Sequence, residues 1–365
     1  MPVVSSPLAI GIAGAGLLGR LLAWRLARAG HAVTVFDPAP QALPQFDGQG
    51  AAGFSAAGML SPIAELDHAG PEIARLGLRS IVRWQAIMPL LPGPPFFAQR
   101  GSLLLAHRAD LGSAQRMLAR VAGHAVAGLA APQALQAAQL ADLEPALHGV
   151  AHAWWLPGEA QIDAPVVLQA LHEAAPQVRW CWGRWVDDAV PGGLHVQGEG
   201  WQRFDLVFDV RGVGGRPEMP VRGVRGETVW LHAPGLGLSR PVRLLHPRQP
   251  VYIVPRPGDH VIVGASEIES EDRSPVSLRS AVELMSAAHS VLPALAEARI
   301  VRLDRNLRPA LPNHLPALDC RDGLVRINGL FRHGWLLAPA LVEDALAAVG
   351  LAAAAAEAGH EEVPA

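Results

Sequence analysis

With 365 residues, half of them apolar and only 17% charged, the chain is long enough for more than one core and too apolar for wholesale disorder. Its net charge of −3 is spread along the sequence, without the basic block of a nucleic-acid footprint. All 30 basic residues are arginine, which excludes chemistry needing a primary amine, such as a Schiff base to pyridoxal phosphate or the lysine of a phosphate loop.

In chain order, Leu8 to Ala13 form a short apolar run expected to be a buried strand. Gly14-Ala15-Gly16-Leu17-Leu18-Gly19 follows, then a helical pattern through Leu21, Leu22, Leu26 and Ala29 that Gly30 ends. His31 to Phe36 reads as a second strand closing on Asp37, which completes a βαβ opening. Helices are expected over 71–90 and 110–121. Ala151–Leu156, Val178–Trp182 and Phe204–Val210 read as strands, with a helix from about Ala164 to Ala174 between the first two. Strand-like runs broken by Pro and Gly between Val221 and Ala265 predict an antiparallel sheet. A helix over Val276–Val291, a strand over Ile300–Leu307 and a last helix from about Gly334 complete the pattern, and the Ala-rich tail beyond Val349 is expected to fray.

Cys181 and Cys320 are far apart, and the 15 histidines lack paired spacing, so neither a disulfide framework nor a metal site is expected. Met1 to Pro7 leave no room for a signal peptide ahead of the first strand. Pro339, Glu343 and Asp344 interrupt the apolar stretch after Trp335, so no membrane span is expected. The expected location is the cytoplasm.

The Gly14-x-Gly16-x-x-Gly19 spacing is a dinucleotide fingerprint. Gly14 permits the tight turn, Gly16 lets backbone approach a pyrophosphate, and Gly19 lets the helix pack closely on the strand. Asp37 is placed to accept hydrogen bonds from a ribose, and its charge disfavours the 2′-phosphate of NADP. FAD and NAD both remain open at this point.

Three further segments narrow the choice. Ala52-Gly53-Phe54-Ser55-Ala56-Ala57-Gly58-Met59 through Pro62, Val251-Tyr252-Ile253-Val254-Pro255-Arg256 through Glu267, and Asn306-Leu307-Arg308-Pro309 with Phe331-Arg332-His333-Gly334-Trp335-Leu336-Leu337 occur in this order. With the fingerprint, they resemble the glycine oxidase and D-amino-acid oxidase family of flavoenzymes, most closely its glycine oxidases of thiamin thiazole synthesis. The resemblance runs from Ile10 to about Ala347. It implies an α/β Rossmann-type FAD-binding domain with an inserted substrate domain on an antiparallel sheet. The expected division gives 1–84, 143–217 and 303–365 to the FAD part, and 85–142 with 218–302 to the substrate part.

By the same resemblance, Arg308 would pair with a substrate carboxylate, Tyr252 would close the pocket, and Arg332 would face the substrate. Ser55, Ala56, Ala57, Gly58 and Met59 would wrap the flavin. Val186, Arg211 and Gly212 would touch the adenosine or pyrophosphate through backbone. Arg332, His333, Gly334, Leu336 and Leu337 would lie at the flavin's pyrimidine edge. Glu65 and Glu267 are expected to be solvated loop carboxylates. Related sarcosine oxidases carry a flavin-linked cysteine at a place falling near Asn306, so non-covalent FAD is expected here. The implied reaction is hydride transfer from a small amino acid or amine to flavin N5, with dioxygen as acceptor and possible homo-oligomers. The alternative is a dehydrogenase of D-amino acids or secondary amines that passes electrons to a quinone or partner protein.

Overall fold

The computed structural model describes residues 6–147, 149–245 and 250–351; the tail expected to fray lies outside them from residue 352 onward. The opening unit is β1 (Ala9–Ala13), α1 (Leu17–Arg28) and β2 (Ala32–Asp37), within a residue or two of the expected bounds. Next come α2 (Pro62–Glu65), α3 (Gly70–Ile87), β3 (Ser102–Ala106), α4 (Leu111–Ala122), β4 (Gln133–Leu135), α5 (Ala137–Leu143) and β5 (His152–Leu156). The middle of the chain forms α6 (Ala164–Glu173), β6 (Arg179–Trp182), β7 (Leu206–Asp209), β8 (Arg222–His232), β9 (Val242–Leu245), β10 (Val251–Arg256) and β11 (His260–Gly264). The chain closes with α7 (Leu278–Val291), β12 (Arg299–Ala310), β13 (Ala317–Arg321), β14 (Leu324–Asn328) and α8 (Gly334–Ala348).

Two sheets organise these elements. The first has the order β13-β14-β7-β1-β2-β6 and is parallel apart from the β13–β14 hairpin. Its central strand β1 is almost wholly buried, and α1, α3, α6 and α8 cover it in one core with Trp84, Leu168 and Leu337. Buried strands under helices are what a parallel sheet requires, because each crossover lays a helix on its face. The second sheet runs β12-β8-β11-β10-β9-β3-β5-β4 and is antiparallel except where β9 meets β3. Helix α7 packs its buried face, with Leu284, Ala288 and Val291, against β8, β10 and β11.

Strand membership bears on the expected domain boundaries. β5 lies within 143–217, the range expected for the FAD part, and pairs in the eight-stranded sheet, while β12 spans the boundary expected at 303. Among the described residues, Cys181 and Cys320 are free thiols, and no helix is long and apolar enough to cross a membrane.

Arg20 is the pin between α1 and its surroundings. It is 1% exposed and donates to the carbonyls of Ala15 (2.8 Å), Leu168 (2.8 Å) and Ala42 (2.7 Å). Burial pushes its pKa down to about 10, and Asp37 opposes that shift. The guanidinium therefore remains charged at neutral pH and holds the turn after β1 in place.

Candidate active site

One cavity of about 770 Å³ runs from the βαβ turn to the middle of the eight-stranded sheet. Gly14, Gly16, Asp37, Val186, Arg211 and Gly212 line one end. Gly14 adopts φ +105°, a conformation open to glycine, and its N–H donates to Phe36 O at 2.8 Å. The Asp37 carboxylate accepts from Ala15 N (2.6 Å) and Ala39 N (2.8 Å). Burial raises its pKa, against those two bonds and Arg20. No side chain caps α1 and no acid stands in its first turn, so its N-terminal amides are suited to a phosphate. Gly19 lies behind this wall: a Cβ there would come within 1.8 Å of Gly14 O. These residues fit the diphosphate and adenosine of FAD. Gly19→Ala must displace backbone at a cost of about 1–3 kcal/mol, and the purified protein is expected to carry at most a tenth of the normal flavin absorbance. Full flavin content in that variant would remove the fingerprint from the cofactor site.

The Arg211 guanidinium does not face a ligand. It is bound by Asp209 (2.9 Å), Glu218 (3.2 Å) and Val186 O (3.0 Å), which leaves backbone to contact a nucleotide.

The middle of the cavity is walled by Ser55, Ala56, Ala57, Gly58 and Met59, as expected. Two side chains pin this loop from opposite sides. Asn306 on β12 donates to Gly50 O (3.1 Å) and Ser55 Oγ (3.2 Å), and Trp335 Nε1 on α8 donates to Gly53 O (3.0 Å). Gly334 and Trp335 bring the N-terminus of α8 to the wall. His333, Leu336 and Leu337, expected at the cofactor, do not line the cavity: all three are buried, and Leu336 and Leu337 pack in the helix-side core. The turn into α8 is strained, since Phe331 has φ +48°, a conformation that costs on the order of 1–3 kcal/mol for such a residue. The His314 ring lies 4.7 Å from that of Phe331, and the turn delivers Arg332 to the cavity.

Register builds the far end. Thr228, Gly264, Tyr252, Arg243 and Leu104 face one another across β8, β11, β10, β9 and β3, so their side-chain positions share one face of the sheet. Tyr252 leans across the bare backbone of Gly264, where a Cβ would meet its ring at 2.5 Å. Arg308 lies in the same way over Gly226, where a Cβ would come within 2.4 Å of the guanidinium carbon. Arg308 donates to Ser266 O at 3.0 Å and has no carboxylate within salt-bridge distance among the described residues. Burial pushes its pKa down. The Tyr252 phenol is pushed up by burial, against Arg308, Arg243, Arg256 and Arg332 around it.

Glu65 corrects an expectation. It is 6% exposed rather than solvated, because the single turn of α2 carries it inward to a cluster of cations. Arg332 donates to it at 2.8 and 3.2 Å, Arg243 at 3.3 Å, and His333 Nδ1 lies 3.4 Å away. Burial alone would raise its pKa, but Arg332, His333 and Arg243 hold it down at about 2. Burial lowers His333 to about 4 despite Glu65, so the imidazole is neutral at pH 7. Glu267 is half exposed, with Arg332 Nη1 at 3.6 Å. The structure thus brings Arg308, Tyr252 and Arg332 together as expected, and adds Glu65, Arg243, Gly226 and Gly264. A lone charge inside the apolar run Val242–Leu245 was the one sequence signal for Arg243.

Comparison with known proteins points the same way. The family model described as FAD dependent oxidoreductase matches residues 9–348. The chain is 36% identical over 333 residues to the provisionally named thiamine biosynthesis oxidoreductase ThiO of Rhizobium etli, covering 91% of this chain and 93% of that protein. It is 26% identical over 361 residues to the glycine oxidase of Geobacillus kaustophilus, covering 90% and 89%. A crystal structure of glycine oxidase from Geobacillus kaustophilus superposes with a TM-score of 0.80 at 26% identity, over 95% of each chain.

Proposed function

This chain belongs to the FAD dependent oxidoreductase family, and from that premise we propose that it deaminates glycine oxidatively in the formation of the thiamin thiazole. FAD held between the βαβ turn and the loop 52–59 would supply the acceptor for a hydride from the substrate carbon, with dioxygen as the final acceptor, reduced to hydrogen peroxide. The six-stranded sheet then serves the cofactor and the eight-stranded sheet the substrate.

The observation that carries the reading is Arg308, a guanidinium with no carboxylate within salt-bridge distance among the described residues, which lies over Gly226 beside Tyr252. Its planar fork offers two parallel hydrogen bonds to a substrate carboxylate, which fixes the orientation of the adjoining carbon. The Tyr252 hydroxyl, protonated at neutral pH, donates to the same anion. Tyr252→Phe removes one bond to a charged group, so kcat/KM for glycine is expected to fall about tenfold to a hundredfold. An unchanged kcat/KM would place the hydroxyl outside the binding step.

Hydride transfer needs the substrate amine unprotonated. Glu65 near pKa 2 and His333 near 4 are too weak as bases to hold that proton at neutral pH. The proton therefore leaves to water before the substrate is enclosed, and catalysis rests on orientation by Arg308 and Tyr252. The resulting imine hydrolyses, or passes to the enzyme that builds the thiazole.

The deciding experiment is the visible spectrum of the purified protein, followed by anaerobic addition of glycine. Flavin bands that bleach with glycine, then return with peroxide on admitting air, support the proposal. Bands that survive glycine remove glycine as the substrate. Bleaching without reoxidation in air, but with turnover on an artificial dye, replaces dioxygen by another acceptor.

A further inference from the structure

Arg308 accounts for one substrate carboxylate, yet a second cation faces the same chamber. Arg243 stands next to Tyr252 in the cross-sheet row, one strand farther from Arg308. Arg308 rests over Gly226 on β8, three strand spacings from β9, or roughly 14 Å of backbone separation. Tyr252, leaning over Gly264, lies between them, and both guanidiniums act on its hydroxyl. The two cations therefore approach the space over Tyr252 from opposite sides.

Arg243 is also incompletely satisfied. Its nearest acid, Glu65 at 3.3 Å, is already held by two shorter bonds from Arg332. Its Nε is buried with no hydrogen-bond partner. Glu159, the other carboxylate that acts on it, is fully buried and engaged by Ser102 Oγ and, at 2.9 Å, by Ala64 N. Burial favours the neutral form of that acid. Arg332 keeps Glu267 at 3.6 Å as a second partner, whereas Glu65 is the one carboxylate within salt-bridge distance of Arg243 among the described residues, and a partly buried cation with spare donors favours an anionic ligand. The cavity that Arg243 lines is also lined by Leu104, Met117 and Ser113.

We propose that Arg243 forms a second anion subsite, and that the chamber takes, besides glycine, amino acids bearing a further carboxylate in addition to the one held by Arg308. This deepens the oxidase reading of the same chamber and rests on it. The reaction is unchanged: the carbon–hydrogen bond next to the amine breaks, its hydride goes to FAD, and the second carboxylate takes no part in the electron balance.

The test uses the holoenzyme with two isosteric pairs, D-aspartate against D-asparagine, and iminodiacetate against its mono-amide. Within each pair shape is kept and one negative charge is removed. In the wild-type protein the dicarboxylate of at least one pair is expected to exceed its amide at least tenfold in kcat/KM. In Arg243→Met that ratio falls to near one, and in Arg243→Lys it recovers in part. Equal rates within both pairs of the wild type would overturn the proposal without any variant, as would a preference that survives Arg243→Met. Bleaching of the flavin by glycine decides the oxidase reading separately, so the two failures are distinguishable.

Discussion

Arg308→Met is expected to lower kcat/KM for glycine by about two to three orders of magnitude, mostly through KM, while flavin content stays normal. The size follows from removing one member of an enclosed, hydrogen-bonded charge pair, which costs about 2–5 kcal/mol. Gly226 presents no side chain beneath the guanidinium, and methionine keeps an unbranched side chain there while deleting the fork. Simple amines without a carboxylate provide the control, because their turnover should be slow in the wild type and insensitive to the substitution. Steady-state kinetics on both substrate types decides the point. A glycine KM that does not move would move the carboxylate site elsewhere, with Arg243 and Arg332 the next candidates at the chamber.

Glu65→Gln should act on stability as well as on turnover. The buried carboxylate pairs with Arg332 and Arg243, both partly exposed, and Arg332 keeps Glu267, so losing the charge costs about 1–3 kcal/mol. Urea unfolding of the holoprotein at pH 7 would show the loss as a lower midpoint. The acid side carries a second signature. Glu65 titrates near 2 when folded, against an ordinary 4.5, so its stabilisation is complete above pH 4.5 and disappears as pH falls towards 2. His333, lowered from 6.5 to about 4, acts in the same direction: below pH 6.5 the unfolded chain takes up a proton that the fold refuses. The wild type should therefore lose stability in two steps, between 6.5 and 4 and then between 4.5 and 2. In Glu65→Gln the lower step should shrink, the remainder coming from other carboxylates held below their usual range, such as Glu227 and Glu271; a midpoint and acid profile matching the wild type would show that the cluster contributes nothing to the fold.

The sequence made the βαβ unit readable because every local signal there agreed: an apolar run, a glycine turn, a helical stripe, then an acid closing a strand. Arg308 and Tyr252 are legible only through the family resemblance, since no periodicity says which strands become neighbours. That is also why Arg243 was passed over. Its strand was legible, whereas its register against Tyr252 is a long-range property of β9 and β10. Glu65 was misjudged for a different reason. A four-residue helix has no period to read, so nothing local said that its last side chain turns inward. The strand Ser102–Ala106 went unread because it is buried on both faces and shows no alternation.

Asn306 and Arg308 occupy the same face of β12, two residues apart. One grips the loop that would wall the cofactor, and the other would receive the substrate anion in the proposed reaction. Their separation is a single strand repeat of about 6.7 Å, set by covalent geometry. The alignment of donor carbon and acceptor ring is then a property of one rigid strand, insulated from small rocking of one sheet against the other. Thermal breathing between the two halves would change how easily ligands pass, while the reacting distance keeps the tolerance of a polypeptide backbone.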